Sequence, residues 1–185
     1  MKKAIFSRID LKNADSLIAK EFISCIHDLI DKEDVQNLKD YTQHFQTTRF
    51  QHSLNVSYYA FLAAKKLHLD AYSTARAGLL HDLYFYDWRN EDRPEGRHCS
   101  LHPQLALLNA RKNCEVNHIM EDAIVHHMWP MTLEMPKTKE GWLIQAVDKY
   151  CAVSEILLQS GRKVRYSQTV VSLLAMVSIL PSMFK

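Results

Sequence analysis

Residues 77–82 read Ala77-Gly78-Leu79-Leu80-His81-Asp82. A small, apolar run leads straight into an adjacent histidine and aspartate. The run marks a buried stretch, and Asp70 upstream is a natural helix N-cap, so these residues read as the end of a buried helix. Neighbouring helical side chains point about 100° apart. Both members of the pair can therefore reach one centre only at a helix end or beside a cavity. Burying a carboxylate without a partner is costly. A metal ion removes that cost and uses the charge.

The rest of the chain extends the helical pattern. Leu17, Ile18, Phe22, Ile26, Leu29 and Ile30 predict a helix over 15–31, capped by Asp15 or Ser16. A short polar helix over about 33–41 follows. Leu54, Tyr58, Phe61, Leu62 and Leu67 predict another over 50–67. Periodicity is lost over 83–101, where Asp, Arg, Asn, Pro and Gly collect; a loop of about 19 residues is more often functional than idle, and a lid is expected there. Pro103 suits a helix's first turn, which puts His102 at the N-terminus of a helix over about 103–112. Further helices are expected over 117–128, 138–159 and 166–180, with Pro130 and Pro136 in the loop between the first two. Strand-like alternation and hairpin signals are absent. The expectation is an all-α fold, one domain over 1–185 made of about seven helices.

Composition agrees: 47% hydrophobic and 24% charged residues are ordinary for a globular protein, and only 4 Gly and 5 Pro favour long helices. A net charge of +2 lacks the strong basic bias of a nucleic-acid-binding surface. Cys25, Cys99, Cys114 and Cys151 form no C-x-x-C pair, and Met-Lys-Lys at the start is followed by no apolar signal segment. Reduced thiols in a cytoplasmic protein are expected. The apolar stretch 169–184 is shorter than the roughly 20 residues a membrane span needs. It reads as a helix packed on the core, with a homodimer interface as the alternative.

The His-Asp pair belongs to a longer series: His52, His81-Asp82, His102, His126 (with His127 beside it) and Asp148. Successive members lie 29, 20, 24 and 22 residues apart, each about one helix plus one connection. Four histidines and two aspartates on successive helices converge if a pair of divalent metals holds them.

The chain here resembles the HD-domain superfamily of metal-dependent phosphohydrolases. The resemblance is carried by R-F-Q-H-S at 49–53, G-L-L-H-D at 78–82, H-P at 102–103, H-H at 126–127 and D-K at 148–149, a motif core of about 49–150. It is closest to the branch with two metals. That resemblance implies His52, His81, Asp82 and Asp148 on one ion, and Asp82, His102 and His126 on the other, with Asp82 and His102 at the chemistry. His127 is expected as a supporting proton donor or a ligand. Nitrogen and oxygen ligands without thiolate suit Fe or Mn first, with Co, Ni or Zn as alternatives. The implied reaction is attack of a metal-bridging hydroxide on phosphorus.

Arg49, Arg97 and Lys149 are the cations expected to bind substrate phosphate; Arg89 and Arg93 share the loop after the pair. Tyr84, Tyr86, Trp88 and Trp129 either stack a base or cover the core. Leu83-Tyr84-Phe85-Tyr86 stands where cyclic-di-nucleotide phosphodiesterases carry their glycine-tyrosine-proline signature, which disfavours that substrate. The order and length are closer to small bacterial hydrolases of nucleotides, including dinucleoside polyphosphates. The expected partner is thus a small phosphorylated molecule, with no membrane and no nucleic acid. The alternatives are a di-iron oxygenase of the same superfamily and a non-catalytic nucleotide-binding module.

Overall fold

The computed structural model describes residues 17–44, 47–89 and 95–159. The expected cap at Asp15 or Ser16, and the expected last helix over 166–180 with its dimer alternative, lie outside those residues. Among the described residues the chain is all-α: α1 (Leu17–Ile30), α2 (Glu33–Asn37), α3 (Arg49–Leu67), α4 (Ala71–Leu80), α5 (His98–Asn113), α6 (His118–His126) and α7 (Lys139–Gln159). A short 3-10 turn, Leu38–Asp40, follows α2. One small antiparallel pair, β1 (Thr42–His44) with β2 (Thr47–Thr48), was not legible in the sequence, because two and three residues are too few to alternate. No described helix is long and apolar enough to cross a membrane.

Helix α3 is the axis of the fold. It is buried along most of its length, from Arg49 to Ala64, and packs on α4 and α7; α4 in turn packs on α1, α6 and α7. Asp70 caps α4 as expected, accepting from the Ser73 amide at 2.9 Å and the Ser73 hydroxyl at 2.6 Å. Asn117 caps α6 by accepting from the Met120 amide at 2.9 Å, and its own amide donates to Ser73 Oγ at 2.7 Å. The starts of α4 and α6 are thereby tied together.

The crossing of α3 and α4 depends on Gly78. A Cβ there would lie 2.7 Å from the Ser57 Cα and 2.8 Å from its backbone nitrogen, so no side-chain rotation relieves it. Ser57 Oγ also donates to the Ala75 carbonyl at 2.6 Å, sealing the contact. Gly78→Ala should force the helices apart and destabilise the protein by about 1–3 kcal/mol, the usual cost of overpacking. Urea unfolding checks this; an unchanged midpoint would contradict so close a crossing.

The segment after the His-Asp pair is shorter than the sequence suggested, because α5 starts at His98 rather than at 103. The Arg97 carbonyl accepts from the Ser100 and Leu101 amides at 3.0 Å, so the helix is under way before the proline. Pro103 stands inside α5 and has no N–H for the Cys99 carbonyl, so the second turn goes without that hydrogen bond. His102 thus stands in the second turn of α5, not at its N-terminus.

Candidate metal centre

The ends of four helices and the middle of a fifth meet at Asp82. From α3 comes His52, from the end of α4 His81 and Asp82, from α5 His102, from the end of α6 His127, and from α7 Asp148. All six are at least nine-tenths buried.

The cluster has two halves that share the Asp82 carboxylate. On one side, His52 Nε2 lies 2.9 Å from Asp148 Oδ1, and His81 Nε2 lies 3.7 Å from that oxygen and 3.6 Å from Asp82 Oδ2. On the other, Asp82 Oδ1 lies 3.2 Å from His102 Nε2 and 3.6 Å from His127 Nε2, and these two nitrogens are 2.9 Å apart. His52, His81 and Asp148 can close on one ion, as can His81, Asp82 and His127.

The fold also sets which nitrogen of each ring faces inward. His81 Nδ1 donates to the Gly78 carbonyl at 2.8 Å, His102 Nδ1 to that of His98 at 2.8 Å, and His127 Nδ1 to that of Ile124 at 2.7 Å. A carbonyl only accepts, so each Nδ1 carries a proton and Nε2 is the nitrogen turned toward the centre. His81 Nε2 and Asp82 Oδ1 have no hydrogen-bond partner although both are buried. Orphaned buried acceptors are rare and call for a cation.

The charge states suit that use. Burial pushes the Asp82 carboxyl up, but His81, His102 and His127 outweigh it and hold it well below the usual range. Burial likewise opposes ionisation of Asp148, and Lys149, His52 and His81 overcome it. Burial, reinforced by His102 and His81, brings His127 down to about 4 against the pull of Asp82, so the ring is neutral at neutral pH. His52 differs: burial lowers it, but Glu155 and Asp148, one on each ring nitrogen, raise it to about 10. This ring holds either two protons or one proton and a cation.

Five of the six expected ligands therefore come together: His52, His81, Asp82, His102 and Asp148. His126 does not. Its Nδ1 donates to Asp122 Oδ1 at 2.8 Å and its Nε2 faces Glu134 at 3.2 Å. Asp122 is itself fixed by the amides of Lys137 and Thr138, at 3.0 and 2.8 Å. With adjacent side chains about 100° apart, His127 is the one that turns to the centre. The signal was present in the sequence: Asp122 lies one helical turn before His126 and claims that ring.

The substrate-binding expectations divide. Arg49 is wholly buried and is not placed to meet a substrate. It donates to the carbonyls of Tyr84 and Tyr86 at 2.6 and 3.1 Å and to Gln43 Oε1 at 3.0 Å, with its guanidinium 3.5 Å from the Tyr84 ring centroid. It clamps the segment that follows the His-Asp pair. Arg49→Ala should cost about 3 kcal/mol or more, since several charge-assisted bonds go at once. Arg49→Lys should recover only part of that in thermal unfolding, lacking the planar fork. Lys149 donates to Asp148 Oδ2 at 2.7 Å and to the His127 carbonyl at 3.0 Å, and keeps a third of its side chain exposed. Arg97 is exposed just before α5, at a cavity of about 300 Å³ that His126 and Glu134 also line. Arg93 lies outside the described residues. Tyr84 is buried core cover, while Trp88, 43% exposed, stacks on His98, which stacks on His102.

Three contributors escaped the sequence reading. Gln43, on β1, donates to Asp82 Oδ2 at 2.6 Å. His44 packs its ring edge against His52, with centroids 5.4 Å apart. Glu155 accepts from His52 Nδ1 at 3.0 Å. No spacing rule marks them, because each reaches the centre through tertiary packing.

A family model described as HD domain matches residues 49–153. No curated protein and no solved structure matches the chain.

Proposed function

The chain belongs to the HD-domain family of metal-dependent hydrolases, and from that membership we propose that it is a phosphohydrolase acting on a nucleotide or another small phosphorylated molecule. The observation that carries the reading is the pair of Nε2 atoms of His102 and His127. They lie 2.9 Å apart with both Nδ1 protons given to backbone carbonyls. Two such nitrogens approach so closely only with a proton or a metal cation between them, and beside Asp82 a metal can take that place.

His52, His81, Asp82 and Asp148 would hold one divalent ion; Asp82, His102 and His127 would hold the other, with Fe or Mn favoured. Such ions lower the pKa of water and offset phosphate charge. The protein's own residues supply the rest. Asp82 presents one oxygen to each half of the site. Gln43 fixes its orientation from the β1 side. Lys149, partly exposed beside Asp148, meets the phosphate, and Arg97 meets a more distant charge. Trp88, stacked outward from His102 through His98, receives the apolar part of the substrate. Four cysteines with no C-x-x-C pair support a reducing compartment, the cytoplasm, as the protein's place of action.

Phosphate release from a panel of nucleotides, run anaerobically with Mn2+ or Fe2+, tests the reading. Turnover with Mn2+ supports it. Iron binding with O2 consumption and no phosphate release would replace it by oxygenase chemistry.

A pH dependence follows from His52. Its raised pKa of about 10 means that an ion must displace the Nε2 proton throughout the neutral range. Protons compete, so affinity rises with pH, by up to about tenfold per unit between pH 6 and 8. Titration calorimetry in buffers of different ionisation enthalpy should show the released proton; binding that ignores pH would contradict the geometry at His52.

A further inference from the structure

One buried acid stands outside the two groups that meet at Asp82, though it lies close to His44 and His52. Glu155 is wholly buried on α7, two residues beyond the end of the family match. We propose that Glu155 is the positioning residue for His52, fixing its tautomer and raising its strength as a ligand; this rests on reading the cluster as a metal centre.

Asp148 and Glu155 are seven residues apart on α7, two turns, so both project from one face. The His52 ring is held between them, Nε2 at 2.9 Å from Asp148 Oδ1 and Nδ1 at 3.0 Å from Glu155 Oε2. The other oxygen of Glu155 accepts from Asn55 Nδ2 at 2.9 Å, and Asn55 Oδ1 accepts from Gln51 Nε2 at 2.9 Å. Asn55 lies one turn after His52 on α3, so a single helix supplies both donors. With its oxygens so engaged, Glu155 acts as an acceptor, and the His52 proton beside it stays on Nδ1. Nε2 is then the atom turned to Asp148 and His81.

The other three inward histidines obtain the same tautomer from neutral backbone carbonyls. His52 alone obtains it from a carboxylate. A carboxylate behind an imidazole makes the ring a stronger donor to a cation on its far side. A wholly buried carboxylate facing an amide and the imidazoles of His52 and His44 is expensive unless positive charge lies nearby. A cation at Nε2 supplies it through the ring.

The test is Glu155→Gln, which keeps size and shape but removes the charge. Mn2+ titrated into metal-free protein should show one of two affinities weakened about 10–100-fold, while the other, whose ligands meet the first only through Asp82, should weaken clearly less. In Zn2+-loaded protein with 15N-labelled histidine, the His52 Nδ1 proton should lose the strong deshielding that a carboxylate partner gives. Asn55→Ala, which leaves the His52–Glu155 bond in place but frees the other oxygen of Glu155, should weaken that same ion, and by less than Glu155→Gln does. Should the glutamine variant fail to fold, Glu155→Asp retains the charge at shorter reach, and weaker binding at the same single ion is expected. Unchanged affinities and an unchanged His52 signal would overturn the proposal. So would equal weakening of both ions with loss of cooperative unfolding, which would make Glu155 merely structural. Wild-type protein that binds no Mn2+ would overturn the metal reading itself, and this inference with it.

Discussion

Replacing Asp82 by alanine should reduce phosphate release by about 10³-fold or more, the loss of several kcal/mol of charge stabilisation. The two oxygens of Asp82 face different halves of the cluster, Gln43 and His81 on one side and His102 and His127 on the other. Its removal leaves His102 and His127 with no carboxylate partner and His81 with Asp148 alone. The metal stoichiometry should fall with activity. Folding should persist, since the α3–α4 crossing at Gly78 and Ser57 and the cap at Asp70 do not involve Asp82. Kinetics, elemental analysis and thermal unfolding on one preparation separate these effects. A folded Asp82→Ala protein with full activity would end the phosphohydrolase reading.

The second large effect separates two adjacent histidines. His127→Ala should lose about 10²-fold or more in metal affinity or activity, because it removes a ligand outright. His126→Ala should stay within a few-fold of wild type in turnover and lose about 1 kcal/mol of stability, the worth of its bond to Asp122. Asp122 keeps the amides of Lys137 and Thr138 when His126 is gone, so the loop before α7 holds its place. The reverse ranking would mean that α6 presents the other ring, and the geometry at Asp82 would have to be redrawn.

Most of the fold was legible because helical periodicity is a local signal. The spans of α1, α3, α6 and α7 lie within a few residues of those read from apolar spacing, and Asp70 is the cap it appeared to be. Where α5 begins was not legible: Pro103 reads locally as a helix start, whereas the turn that precedes it is set by the Arg97 carbonyl. At the site, the series His52, His81-Asp82, His102 and Asp148 converges as its spacing suggested. The choice between His126 and His127 turns on a single 100° step, and spacing over 20 residues has no such resolution. Arg49 shows the opposite limit. A cation beside a motif suggests a phosphate, but its partners are the carbonyls of Tyr84 and Tyr86, far along the chain. Gln43 and Glu155 fall outside the span that the family model matches, and only packing brings them to Asp82 and His52.

On the proposed function, Asp82 divides one buried His/Asp cluster into two cation positions. Elemental analysis of protein reconstituted anaerobically with Mn2+ or Fe2+, wild type beside Asp82→Ala, tests it most directly. About two ions per chain are expected in the wild type, the number a bridged dinuclear site holds, and fewer than two in the variant. A wild type that takes up no ion, or a variant that holds as many as the wild type, would contradict it.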